Sequence, residues 1–235
     1  MKEVQTIRSL QTAEGGRPSR KLDISDIVHT YFFYCAKGMI GELERLLNEK
    51  NKASNEYELL KKCVKGPHQR RMKSEVCLTA AKILEDSKIL HLRFADFEEL
   101  YCMVKNLLNG VNGIGDLTVY DVSKRIGHII EHPVYPEQYV YSSRGAAIGA
   151  SGLLGRKIAF REPTSVYAPY FNVPSIFIED ILCIFKDYFA LGGINSQKTL
   201  HSLIKKLSPC CSSGSGLSCY NVLKKQKFIL DTDED

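Results

Sequence analysis

The stretch Leu107-Leu108-Asn109-Gly110-Val111-Asn112-Gly113-Ile114-Gly115-Asp116-Leu117-Thr118-Val119-Tyr120-Asp121-Val122 decides the fold of this chain. Upstream of its glycines, Phe97, Leu100, Tyr101, Val104, Leu107 and Leu108 recur at helical spacing. Downstream, Leu117, Val119, Val122, Ile126, Ile129 and Ile130 do the same. The simplest solution is two helices joined by a short glycine turn. Gly113 and Gly115 are expected at backbone angles that a Cβ disfavours, with Ile114 anchoring the turn in the core.

The Val111, Gly113, Ile114, Gly115, Val119 and Val122 frame resembles the helix-hairpin-helix motif of DNA-binding proteins, including the DNA glycosylases built on it. Asn112 stands where that family usually has Pro, and Val119 where it usually has Ala. The resemblance covers about 25 residues. It implies contact with a nucleic-acid phosphate that does not depend on base sequence. The physical basis is general. The first amides of a helix have no intrahelical partner and lie at the positive end of the helix dipole, so they suit an anion. The expected DNA-phosphate contacts are Asn112, Gly113, Gly115 and Thr118, helped by Lys124 and Arg125. A plain helix–helix turn whose glycines only permit close packing is the competing reading.

Working outward, Ile27, Val28, Tyr31, Phe32, Phe33 and Cys35 mark a helix that Gly38 is expected to stop. A short helix is expected to open at Gly41. Others follow over 55–64 and 72–86, the latter with Val76, Leu78, Ala80, Ala81, Ile83 and Leu84 inward. Asp96 is a plausible cap for the first helix of the hairpin. His132-Pro133 ends the second. Residues 134–141 read as extended and aromatic. Ser142 or Ser143 opens a small-residue helix over 144–150, and one short strand fits 157–160. A nearly all-apolar helix begins at Pro174 or Ser175 and runs through Phe189, and Ser196 caps a last one to Leu207. The expected architecture is mainly α, a multi-helix globular domain over 22–207 containing the hairpin at 96–131, with at most a minor β component. A flexible basic arm, 1–21, precedes it, and a Ser/Gly/Cys-rich linker with a charged tail, 208–235, follows.

Composition agrees with a globular chain: 44% hydrophobic and 25% charged residues in 235. No apolar run is long enough to span a bilayer and the first residues lack a signal-peptide core, so the expected location is cytoplasmic, with no membrane partner. Five of the eight cysteines fall in apolar helical patterns. Cys210, Cys211 and Cys219 lack the paired spacing of a zinc site. A net charge of +5 permits a nucleic-acid partner without requiring one. The densest basic run is Lys61, Lys62, Lys65, His68, Arg70, Arg71 and Lys73.

Two enzymatic alternatives follow. Helix-hairpin-helix glycosylases place a catalytic Asp about twenty residues beyond the second glycine, and bifunctional members a Lys two residues beyond it. Here those positions are Tyr135 and Leu117, and the nearest acid, Glu137, is the candidate catalytic residue of a base-excision reading. Tyr135, Tyr139 and Tyr141 beside it would stack on a base or pack in the core. Second, His128-Ile129-Ile130-Glu131-His132 has the H-x-x-E-H form of inverted zinc peptidases. On a helix, His128 and His132 would share a face and a zinc ion, Glu131 would activate water, and Glu179 or Asp180 would supply a third ligand. No cofactor is assigned otherwise, beyond a metal ion at the hairpin as a further option.

Overall fold

The computed structural model describes residues 24–190, except 53, 54, 67, 68 and 70. The arm at 1–21, the helix expected at 196–207 and the tail from 208 lie outside the described residues. The fold is mainly α. Its helices are α1 (Ile24–Tyr34), α2 (Ala36–Lys50), α3 (Glu56–Val64), α4 (Ser74–Asp86), α5 (Phe97–Leu107), α6 (Asp116–Ile129), α7 (Arg144–Leu154), α8 (Ser175–Ile184) and α9 (Lys186–Ala190). The only sheet among the described residues is an antiparallel pair, β1 (Tyr139–Tyr141) with β2 (Arg161–Pro163), with Val140 opposite Glu162. The strand expected at 157–160 is therefore displaced to 161–163, where it finds a partner.

Local chemistry explains most boundaries. Asn55 accepts a hydrogen bond from the Tyr57 amide, and Asp96 accepts one from the Glu99 amide, as Ncap residues should. Glu99 in turn accepts from the Ala95 amide. Two boundaries and one buried face differ from expectation. The first break falls at Cys35, and α2 continues through Gly38 and Gly41, because Leu43 and Leu46 on its inner face are held in the core. The apolar helix at 175–189 is interrupted at Phe185, which is fully buried between α8 and α9. Leu78, expected inward, is 41% exposed, while Cys77, Ala80, Ala81 and Leu84 form the buried stripe of α4.

Two apolar clusters form the interior. The first joins α3, α4, α5 and α6. The second joins α1, α7, α8 and α9. Strand β1 serves both, since successive residues point to opposite faces: Val140 is buried in the second cluster and Tyr141 in the first. Tyr141 stacks on Tyr120 with ring centres 4.6 Å apart and meets Phe97 edge-on at 5.7 Å. Its hydroxyl donates to Glu98, which also receives Arg161 at 2.9 Å. The ribbon is thereby fixed across the hairpin helices. In the second cluster α7 lies directly on α8. A Cβ at Gly149 would collide with the Leu182 carbonyl, so this helix pair requires the missing side chain.

Candidate functional site

Helices α5 and α6 are joined by residues 108–115, and Ile114 packs against the first cluster. Gly113 has φ of +94°, a conformation that side chains disfavour, so this glycine is demanded by the backbone. Gly115 is different. It is the Ncap residue of α6, in ordinary extended conformation (φ −111°, ψ 176°), and a Cβ there would meet nothing within 4 Å. Neither strain nor crowding calls for glycine at this position.

The consequence lies in the first turn of α6. With glycine at the Ncap there is no side chain to accept from the amides that follow. The Ile114 amide bonds Val111 O, and the helical ladder begins with the Val119 amide to Gly115 O. Among the described residues, no acceptor engages the amides of Gly113, Gly115, Asp116, Leu117 or Thr118. Asn112, Gly113, Gly115 and Asp116 are exposed, and Thr118 is half-buried.

Charges around this opening come from Lys105, which sequence spacing does not single out, and from the last residue of the basic run, Lys73. Lys105, on the last turn of α5, reaches Asp116 Oδ1 at 3.1 Å. The side chain of Val76 lies 3.6 Å from where a Gly113 Cβ would stand, so the start of α4 is beside the turn. Lys73, the exposed Ncap residue of α4, makes no side-chain cap bond, so two helix N-termini lie side by side. Thus the end of the basic run adjoins the hairpin. His68 and Arg70 of that run lie outside the described residues. Only a long-range contact, invisible to periodicity, brings α4 to the turn.

Lys124 and Arg125 require correction. Both are buried, 7% and 2% exposed, and neither reaches the turn's solvent face. Arg125 donates from Nε to Glu42 Oε1 at 2.7 Å, and from one terminal nitrogen to Cys63 O at 3.0 Å and Gln69 Oε1 at 3.1 Å. Gln69 donates to Asp121 at 2.7 Å. Lys124 stands 3.6 Å from Asp121 and 5.2 Å above the Tyr120 ring. Burial disfavours the Lys124 ammonium, but Asp121, Glu179 and Asp180 outweigh it and hold its pKa above the ordinary value. This polar spine joins α2, α3, the segment before α4, and α6. Its cations are occupied internally and leave none over for a phosphate.

The remaining candidates gather at the opposite end of α6, about 18 Å along the axis at 1.5 Å per residue. The helix ends at Ile129, so Glu131 and His132 lie beyond it, exposed, and His132 does not share a helical face with His128. The H-x-x-E-H spacing is therefore not read out as a helical metal site. No group of three or more His, Cys, Asp or Glu residues that could hold a metal occurs among the described residues. Glu179 is buried and accepts from Ser143, while Asp180 accepts from the Tyr31 hydroxyl at 2.9 Å. The Tyr31 pKa is raised, first by burial and then by Asp180.

Glu137 is exposed, and its carbonyl accepts from Thr164 Oγ1 at 2.7 Å. It lines a cavity together with His128 and Tyr135. His128 Nδ1 and the Tyr135 hydroxyl share a 2.8 Å hydrogen bond. Burial lowers the His128 pKa and outweighs the opposing pull of Glu44. Of the tyrosine stripe, Tyr141 is core, Tyr139 lies under the Arg161 guanidinium at 4.4 Å, and Tyr135 faces this cavity.

No helix among the described residues is long and apolar enough to cross a membrane. Compared with protein-family models, curated proteins and solved structures, the chain finds no match.

Proposed function

We propose that this protein binds the phosphate backbone of DNA, without reading base sequence, through the turn at 112–118. One observation carries the reading: Gly115 leaves the first amides of a fourteen-residue helix open, at a position where the fold itself has no need of glycine. Ser, Thr, Asp or Asn there would cap the helix from within and stabilise it. Glycine keeps several N–H donors and the positive end of the helix dipole available to an external anion. Gly113 and Asn112 flank the same opening, and Thr118 adds a hydroxyl. Lys105 balances Asp116, and Lys73 supplies positive charge from α4. Contacts of this kind position a duplex but do not specify its sequence.

The experiment is Gly115→Ser, measured by fluorescence anisotropy with duplexes of unrelated sequence. The serine hydroxyl takes up an amide of Leu117 or Thr118. Affinity is expected to fall about tenfold, equally for all duplexes, while the melting temperature holds or rises. Parent affinity should fall with salt by about 0.9 log unit per decade for each phosphate engaged. A folded Gly115→Ser protein that binds DNA as tightly as the parent overturns the reading.

A further inference from the structure

At the far end of α6 lies a cavity of about 690 Å³, within the range of small-molecule sites. Its walls are apolar: Leu43 and Ile40 of α2, Pro136 and Val173 of the loops, and Ile176 and Phe177 of α8. Phe177 is braced edge-on by Phe32, with ring centres 5.1 Å apart. Ile40 and Tyr135 are 40% and 37% exposed at the opening, an amount of wetted apolar surface that a ligand would cover favourably.

The polar groups of the lining are few. Ser175 Oγ donates to Pro136 O and Thr164 Oγ1 to Glu137 O, so both hydroxyl protons are committed within the protein. His128 is tied to Tyr135, and its Nε2 is buried with no hydrogen-bond partner among the described residues. The imidazole is half-buried, and partial burial lowers its pKa, so it stays neutral near pH 7. Among the described residues, the formal charges of the lining are thus the carboxylates of Glu44 and Glu137, both exposed, with no described Lys or Arg side chain beside them. An anionic ligand, a flipped nucleotide included, meets repulsion at this opening.

We propose that this cavity binds a small apolar amine, with its hydrocarbon or aryl body between α2 and α8 and its ammonium at Glu44 and Glu137. Apolar burial provides the attraction and the two carboxylates the selection for positive charge. Both acids are already solvated at the rim, so the ion pairs form without burying an uncompensated charge. This site is independent of the phosphate reading and stands at the other end of the helix.

The test is a titration of the full chain with 2-phenylethylamine, read from the His128 ring signals by NMR, with 3-phenylpropanoate as the anion of similar shape. The amine is expected to give a saturable shift and the carboxylate none. A Glu44→Gln, Glu137→Gln double variant alters only exposed side chains, and its affinity for the amine should fall about tenfold. No saturable shift with the amine, equal binding of the carboxylate, or an unweakened double variant each overturns the proposal.

Discussion

The two ends of α6 have opposite characters. At its N-terminus, glycine takes the place of a capping side chain, main-chain donors are open, and lysines of α4 and α5 stand by. At its C-terminus lies an apolar cavity whose lining includes Glu44, Glu137 and a neutral histidine. Between them the helix carries charge as well, but that charge is buried and paired. A charged side chain therefore informs about ligands only when it is known what already neutralises it. Lys124 and Arg125 are spent on the fold, while Lys105 and Lys73 remain at the surface.

The largest effect expected concerns the middle of the helix. Arg125→Met leaves the half-buried Glu42 and the buried Gln69 without their donor, and losing such a part-buried pair with its hydrogen bonds costs about 2–4 kcal/mol. Denaturant unfolding measures it. The variant that remains folded should bind DNA as the parent does, which separates structural charge from binding charge. Next comes Gly113→Ala. A Cβ there would make only ordinary contact with Val76, so the penalty is the left-handed backbone itself, about 1–2 kcal/mol in the same unfolding experiment. A smaller effect is expected for Asp116→Asn. Removing a negative charge from the first turn of α6 should tighten DNA binding by about 0.3–1 kcal/mol, read by anisotropy at low salt. Weaker binding by this variant would erase the contrast between the two ends.

The smallest effect is a pH dependence at the cavity. The folded pKa of His128 lies below its ordinary value of 6.5 because burial disfavours the cation. The unfolded chain then takes up the proton first as pH falls. This contribution to stability is complete above 6.5 and is lost as pH falls from there through the folded pKa. Comparing melting temperatures of parent and His128→Gln between pH 7.5 and 5 should show a shallower acid slope in the variant.

Much of the helical framework was legible in the chain. The 3.6-residue apolar spacing located α3, α4, α5 and α6, a serine before small residues pointed to α7, and Asp96 marked a start because a short polar side chain satisfies amides one turn ahead. Other boundaries were not legible. Glycine is a poor helix former, so Gly38 reads as a stop, yet the burial of Leu43 and Leu46 carries α2 through it. The break at Phe185 leaves no mark in a segment that is apolar on every side.

The candidate sites divide along the same line. The order of residues alone determined that a glycine turn would join two helices at 108–115, since spacing and backbone freedom are local properties. Only the tertiary structure decided which glycine the backbone needs, which cations are exposed, and that Glu137 and His128 share a cavity with Glu44. Those outcomes depend on partners such as Glu42, Cys63 and Gln69, more than fifty residues from Arg125 in the chain. Periodicity tells which side of a helix faces inward. It does not tell how many neighbours cover that helix, and α6 is covered on enough sides that its polar residues are enclosed as well.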